Sequence, residues 1–363
     1  MQRRELLKSA LLAGVAEVAA PMLNLGRFRL FASQPETYSD RTIELVGRST
    51  VIDMLGLLTL DWDKFERWKK TPSAFAQADF DRLKSSGISV FHPAVDLPAA
   101  HPYEATLDWI DGWKRFLFRH RDQFTVITES AGIERSRGEG KIGVLLGMQN
   151  ANHFRTVDDV RLFYALGQRV TQLTYNQHNS LGCGCCEARD RGLTAYGAQI
   201  VAEMNRLGMA VDVSHAGDRT TLDAFETSSK PVLITHANCR ALVNHPRCKP
   251  DNVIKAMAAT GSVMGLTGIR MFVSSNGKPT VHDLLDHYDH VARLVGVEHL
   301  GIGSDTDLEG CDRAGVPFDI SGLNHPLRIY DLTEGLIRRR YSNSSIELIL
   351  GGNFARVLKE ILS

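Results

Sequence analysis

The sequence predicts an α/β fold, a TIM-type (β/α)8 barrel of eight parallel strands with helices outside. Three observations carry it. Short β-branched apolar runs alternate with longer stretches of helical apolar spacing from residue 50 to about 305, the order that builds βαβ units and a parallel sheet. The runs are eight in number, the count that closes such a barrel. Two of them deliver a histidine at their C-terminal ends, in Met209-Ala-Val-Asp-Val-Ser-His215 and Val232-Leu-Ile-Thr-His236, on the rim where barrel enzymes keep their chemistry.

Residues 1–33 form a compositional unit of their own, read as a twin-arginine export signal and linker ahead of a single barrel domain over 34–363. Arg3-Arg4, Leu6-Leu7 and Lys8 precede a small-residue apolar stretch ending at Pro21, the layout of a signal for the twin-arginine export machinery and a periplasmic destination. The stretch is about a dozen residues, too short to span a bilayer comfortably. Glu17 inside it keeps an amphipathic surface helix open as the alternative.

The predicted strands are 50–53, 88–95, 142–148, 170–175, 209–214, 232–235, 262–267 and 300–304. Helical spacing fills 76–85, 157–166, 193–207, 220–227, 252–259 and 281–295, with Gly167, Gly208 and Gly296 placed as C-caps. The stretch 103–123, with Trp109, Trp113 and Phe116 on one side, reads as a helix packed on the barrel exterior, with a lid or dimer face as alternative. The tail 345–362 reads as two short helices broken at Gly351-Gly352.

Composition narrows function by exclusion. The 363 residues are 43% apolar and 23% charged, with 42 basic against 42 acidic side chains, so no overall field attracts nucleic acid or an anionic membrane. Six cysteines, Cys183, Cys185, Cys186, Cys239, Cys248 and Cys311, are too few for a disulfide scaffold. The dense group at 183–186 leaves plain thiols, a disulfide and a metal site all open. Gly301-Ile-Gly-Ser-Asp305 is followed by no Lys-Ser or Lys-Thr pair, which excludes a nucleotide-triphosphate loop. No motif for NAD, flavin or pyridoxal phosphate occurs.

The predicted strand ends carry, in order, Asp53, His92 or Asp96, Gln149-Asn150, Tyr175-Asn176, His215, His236, Thr267 to Arg270, and Asp305 with Asp307. A rim of imidazoles, amides and carboxylates fits metal-assisted hydrolysis, because imidazole is a good zinc donor and zinc activates water near neutral pH. His215, His236 and Asp305 are the candidate set. His282, His287 and His290 fall on a predicted helix with structural or solvated roles as the default, and His178 lies in the loop after the fourth strand.

The motifs Gly192-Leu-Thr-Ala-Tyr-Gly197, Met204-Asn-Arg-Leu-Gly208, Val211-Asp-Val-Ser-His215, Ile234-Thr-His236 and Gly301-Ile-Gly-Ser-Asp305 resemble those of the membrane dipeptidase (renal dipeptidase, peptidase M19) family. The resemblance is clearest over 143–305 and 351–358 and loose over 1–49 and 61–130. It implies a zinc barrel site that hydrolyses dipeptides, with His215 and His236 binding one zinc, Asp305 as the last-strand aspartate and Arg247 holding the substrate carboxylate. It also implies a homodimer. The family's first strand ends in Asp-Gly-His-x-Asp, whereas this chain reads Asp53-Met-Leu55-Gly-Leu57. Gln149 stands where the family has the glutamate bridging two zincs, and Tyr175 where it has a substrate-contacting histidine.

The expectation is therefore a dipeptidase-like metallohydrolase with a reduced, single metal site, zinc held by His215, His236 and Gln149. Asp305 and Tyr175 are the catalytic candidates, and Arg247, Tyr175 and Asn176 bind substrate. Two alternatives stand beside it: a metal-independent enzyme using Tyr175, His215, His236 and Asp305 as acids and bases on an exported peptide or metabolite, and a non-catalytic small-peptide binding protein.

Overall fold

The computed structural model describes residues 38–97, 100–275, 279–308 and 325–362, and Arg41–Ser363 forms one compact unit. The export-signal segment 1–33 and Cys311 lie outside the described residues. The strands are β1 (Ile52–Asp53), β2 (Val90–Phe91), β3 (Phe124–Val126), β4 (Ile142–Val144), β5 (Gly147–Met148), β6 (Val170–Gln172), β7 (Ala210–Asp212), β8 (Ile234–Ala237), β9 (Met264–Leu266) and β10 (Leu300–Ile302).

Neighbouring strands all pair in parallel. One sheet runs β3-β4-β2-β1-β10-β9-β8 and a second β5-β6-β7. Leu145 and Leu146 carry the chain from β4 to β5, while Val213 N–H donates to Leu233 O at 2.9 Å and Leu233 N–H to Val211 O at 2.8 Å, bridging β7 to β8. The pairing of Asp53 with Ile302 joins first strand to last. The eight predicted runs thus follow one another around a ring, with their C-terminal ends on one rim.

Two details of the strands differ from the expectation. The predicted strand 142–148 is divided into β4 and β5, because its neighbour carries Pro93, which has no N–H to give to the ladder. Gly147 sits at that break, where a Cβ would stand 2.2 Å from His92 Cε1. Second, β3 is an additional edge strand on β4; its short run directly follows the aromatic helix, whose apolar pattern runs into it.

Helices Val157–Leu166 and Val281–Val295 occupy the predicted spans, and Ala195–Leu207, Asp218–Thr227 and Asp251–Ala259 differ by at most two residues. Gly167 and Gly208 close their helices in the left-handed conformation, at φ 111° and 82°, as C-cap glycines do. In the tail, Gly351 lies against the first strand: a Cβ there would stand 2.0 Å from Thr50 O. Helix Pro102–Arg119 buries Trp109, Trp113 and Phe116. These rings pack on Phe65 and Trp68 of helix Trp62–Lys70, with Phe65 and Trp113 centroids 4.6 Å apart.

Outside the barrel, Glu203 joins two helices, accepting from Arg161 Nε at 2.6 Å and Arg206 Nη2 at 2.7 Å. The hydrogen bond from Arg206, reinforced by Arg161 and opposed by burial, pulls its carboxyl down to about 2. A depressed carboxyl stabilises the fold above its unfolded value near 4.5 and loses that contribution as pH falls toward about 2. Glu203→Gln is expected to cost about 1 kcal/mol at neutral pH. Urea denaturation of both proteins at neutral and acid pH should show the gap shrinking on acidification.

Candidate active site

The site grows from Asp212, at the end of β7. Its Oδ1 accepts from Ser214 N–H at 2.9 Å, Ser214 Oγ at 2.6 Å and Thr235 N–H at 3.1 Å, and its Oδ2 accepts from Thr235 Oγ1 at 2.7 Å. One carboxylate therefore fastens the end of β7 to β8. With its own proton given to Asp212, Thr235 Oγ1 is an acceptor toward His236 Nδ1, 2.8 Å away. His215 Nδ1 lies 2.7 Å from Asn176 Oδ1, also an acceptor. This network assigns the proton of each imidazole to Nδ1.

Both Nε2 atoms are then bare, and they face each other at 3.0 Å. Two opposed lone pairs repel unless a cation lies between them. Tetrahedral zinc with Zn–N of about 2.0–2.1 Å separates two nitrogens by roughly 3.3 Å, so the pair is spaced within a few tenths of an ångström of zinc ligation. Burial, followed by the nearby Arg247 charge, holds both imidazoles well below their usual pKa. They are neutral at pH 7, the form that ligates metal.

Two buried cations shape the turns that carry these histidines. Arg247 donates from Nη1 to Ser214 O at 2.6 Å and from Nη2 to His236 O at 2.7 Å. Its Nε, fully buried, has no hydrogen-bond partner. Lys249 donates from Nζ to Val213 O at 2.8 Å, Ala216 O at 2.7 Å and Thr221 Oγ1 at 3.2 Å. Burial and the Arg247 charge bring this ammonium down to about 8.

Tyr175 stacks on His215 with ring centroids 4.1 Å apart and planes at 19°. Burial and then the charge of Asp305 push its phenol up to about 12, so it is a proton donor at neutral pH and not a base. Asp305 has a left-handed backbone, φ 60°, and its N–H donates to Leu55 O at 2.9 Å. Gln149 uses its amide nitrogen on Ala94 O at 3.0 Å, leaving the amide oxygen as the end it can offer a metal.

Leu55 and Leu57 are buried and fastened to the last strand's end, Leu57 through its N–H to Thr306 O at 3.0 Å. Asp53 turns inward: its Oδ2 accepts from Ser304 Oγ at 2.6 Å and Arg328 Nη2 at 3.1 Å. His92 is buried with Nδ1 2.7 Å from Leu145 O, and Asp96 accepts from Asn150 Nδ2 at 3.1 Å. Asp307 Oδ2 accepts from Leu60 N–H at 2.7 Å. His287 ties Val273 O and Cys239 N–H together, while His290 meets Asp251 and His178 meets Glu187. The five described cysteines are free. Among the described residues, no three His, Cys, Asp or Glu side chains gather as a metal-holding group.

Sequence reasoning missed Asp212 and Thr235 as the groups that orient His236, Lys249 as the anchor of the His215 turn, and Arg328. Asp212 lies within the Val211-Asp-Val-Ser-His215 motif, and Lys249 stands two residues after Arg247, which the family resemblance singles out. The only signal for them was the presence of ionisable residues in otherwise buried runs.

A parallel α/β barrel with an imidazole pair at its C-terminal rim is the architecture of a barrel hydrolase. The chain belongs to the membrane dipeptidase family, peptidase family M19, whose pattern it matches over residues 39–363. It is 30% identical over 303 residues to dipeptidase verJ of Clonostachys rogersoniana, covering 79% of this chain and 76% of that protein. It is 32% identical over 264 residues to an uncharacterized dipeptidase of Schizosaccharomyces pombe, covering 70% of this chain and 62% of that one. Among solved structures, an amidohydrolase from Pseudomonas aeruginosa superposes with TM-score 0.76 at 28% identity, over 88% of this chain and 98% of the other.

Proposed function

We propose that this chain hydrolyses a dipeptide or a related small amide with one divalent metal ion, zinc by its donor set, held between His215 and His236. The observation that carries this reading is the pair of bare Nε2 atoms opposed at 3.0 Å. The family, and relatives named as dipeptidases, support the substrate class. A second ion does not fit the residues present: Leu55 and Leu57 have no donor atom, and the neutral Gln149 cannot offset two dications as a bridging carboxylate would.

When bound, zinc supplies Lewis-acid polarisation of a carbonyl group. The chain's own groups do the rest. Asn176 and Thr235 hold the imidazole tautomers, and the amide oxygen of Gln149 is the further donor available to the ion. Arg247 keeps its buried Nε–H for a substrate carboxylate, while its Nη atoms hold the two histidine turns. Tyr175 donates a hydrogen bond or a proton, and Asp305, whose charge reaches Tyr175, carries a proton between reacting groups.

The test is elemental analysis of purified protein beside turnover of a dipeptide panel. Near one zinc per chain, with activity lost in chelator and restored by zinc, is the expected result; full activity in excess chelator overturns it. Thr235→Val removes the acceptor that holds His236 Nδ1–H. It is expected to weaken zinc binding about 10–100-fold, measured by competition with a chromophoric chelator.

The Tyr175–His215 stack, with Tyr175 in the field of the Asp305 charge, favours one second reading: metal-independent acid–base chemistry on an exported peptide or metabolite. In that case Tyr175→Phe reduces turnover far more than metal removal does. Export to the periplasm through the twin-arginine machinery is proposed from residues 1–33 and tested by fusing that segment to a reporter. The homodimer is tested by light scattering.

A further inference from the structure

We infer that Cys185 and Cys186 form a redox-active dithiol that a low-molecular-weight disulfide converts to an internal disulfide, and that this oxidation is felt at His215. The two Sγ atoms stand 3.9 Å apart, in direct contact. Cys186 is exposed and Cys185 half-buried, so the pair has one thiol open to an incoming reagent and a second immediately behind it. Cys183 takes no part, since its Sγ accepts from Arg191 N–H at 3.4 Å on another side of the loop.

The loop lies directly against the candidate active site. Cys185 N–H donates to His215 O at 2.7 Å, and Cys186 N–H donates to Asn176 O at 2.9 Å. A Cβ on Gly184 would stand 2.2 Å from Tyr175 O, so the backbone is pressed flat onto residues 175–176. The Cys185 thiol donates to Asn176 Oδ1 at 3.6 Å, the same oxygen that accepts from His215 Nδ1. A continuous path of contacts therefore runs from the exposed thiol to the metal-facing imidazole.

The chemistry balances with the disulfide as oxidant. The Cys186 thiolate attacks one sulfur of R–S–S–R, forming a mixed disulfide and releasing one thiolate RS⁻. The Cys185 thiolate then attacks the Cys186 sulfur and releases the second. The two protons lost by the cysteines end on the two released thiols, and the two cysteines are oxidised as the reagent is reduced. The Sγ–Sγ separation falls from 3.9 Å to about 2.05 Å, and Cys185 no longer has an S–H to give Asn176.

Adjacent Cα atoms are about 3.8 Å apart across a trans peptide, closer than the roughly 4.4–6.8 Å span of ordinary disulfides. Such a bond is strained and readily reduced, the property of a reversible regulatory disulfide rather than a structural one. The oxidation step does not depend on the proposed activity; only its consequence concerns the same site.

The experiment treats the full-length protein with glutathione disulfide, then measures free thiols, intact mass and peptide maps. The expected result is loss of two thiols and the mass of two hydrogens, mapped to Cys185–Cys186 and reversed by a dithiol reductant. Cys186→Ser should form no internal disulfide. Histidine-ring NMR should show the His215 resonances, assigned with His215→Ala, shifting on oxidation of the natural protein but not of Cys186→Ser. A stable mixed disulfide, a bond mapped to other cysteines, or unchanged thiols would overturn the dithiol assignment. Oxidation that leaves His215 unmoved would overturn the coupling.

Discussion

His215→Ala is expected to reduce zinc affinity by more than about 100-fold, with dipeptide turnover falling alongside it. Replacing a group that merely orients a ligand costs about 10–100-fold, and removing a ligand itself takes away more. The alanine leaves His236 Nε2 without its opposed nitrogen at 3.0 Å, and a single imidazole does not retain a zinc ion against water. The variant should fold, because His215 sits on a turn whose carbonyls are held independently by Lys249 and Arg247. Circular dichroism and urea denaturation check that. Zinc competition and steady-state kinetics then separate the readings. Lost zinc with lost turnover, beside natural protein that loses turnover in chelator, supports the one-ion site. Natural protein that keeps its turnover in chelator supports the acid–base alternative, and a His215→Ala protein that turns over without zinc sinks both roles of this imidazole.

The same geometry gives the expected pH behaviour. Both imidazoles are held neutral by burial and by Arg247, so zinc affinity should stay level as pH falls through the usual histidine range. An ordinary exposed histidine pair would release its ion there. Tyr175, pushed up to about 12, should contribute no ionisation to a profile measured below pH 10. A zinc titration across pH 5 to 8 that tracked an ordinary imidazole would contradict the buried geometry.

The barrel was legible because parallel strands buried on both faces leave continuous β-branched runs and the intervening helices leave a different period. The division at 145–146 was not legible, since it depends on which strand lies beside Pro93, a fact of pairing and not of local pattern. Likewise β3 is a short segment next to a strongly amphipathic helix, and its local signal merges with that helix. At the site, His215, His236, Asn176 and Tyr175 were found because each ends an apolar run, and the structure brings these four together. Their orientation could not be read in advance, because it comes from Asp212, Thr235 and Lys249, whose partners lie on other strands. Arg247 shows the limit most clearly. The family resemblance implies a substrate contact for it, yet its two Nη atoms are committed to backbone carbonyls, a role visible only after folding.

Arg328→Met is expected to destabilise the fold by about 3–5 kcal/mol, the cost of leaving one partner of a buried ion pair uncompensated. Asp53 is completely buried and Arg328 nearly so, at 0% and 3% exposure, and they meet at 3.1 Å. Arg328 also donates to Ser304 Oγ and Asp307 O, so one guanidinium ties the helix Arg328–Arg338 to the ends of both the first and the last strand. Beside it lies a mainly apolar cavity walled by Leu266, Tyr288, Ile302 and Leu332, which offers Asp53 no cation in place of the guanidinium. A cation in the first turn of a helix is unfavourable by itself, so the residue is held there by Asp53 rather than by helix preference. Asp53→Asn in the same protein removes the stranded charge while Ser304 can still hydrogen-bond the amide. The double variant should therefore recover part of the loss in urea denaturation. A strictly additive pair would show that Asp53 and Arg328 do not stabilise each other, and that the first strand is held to the last by its backbone bonds and by Ser304 on Asp53.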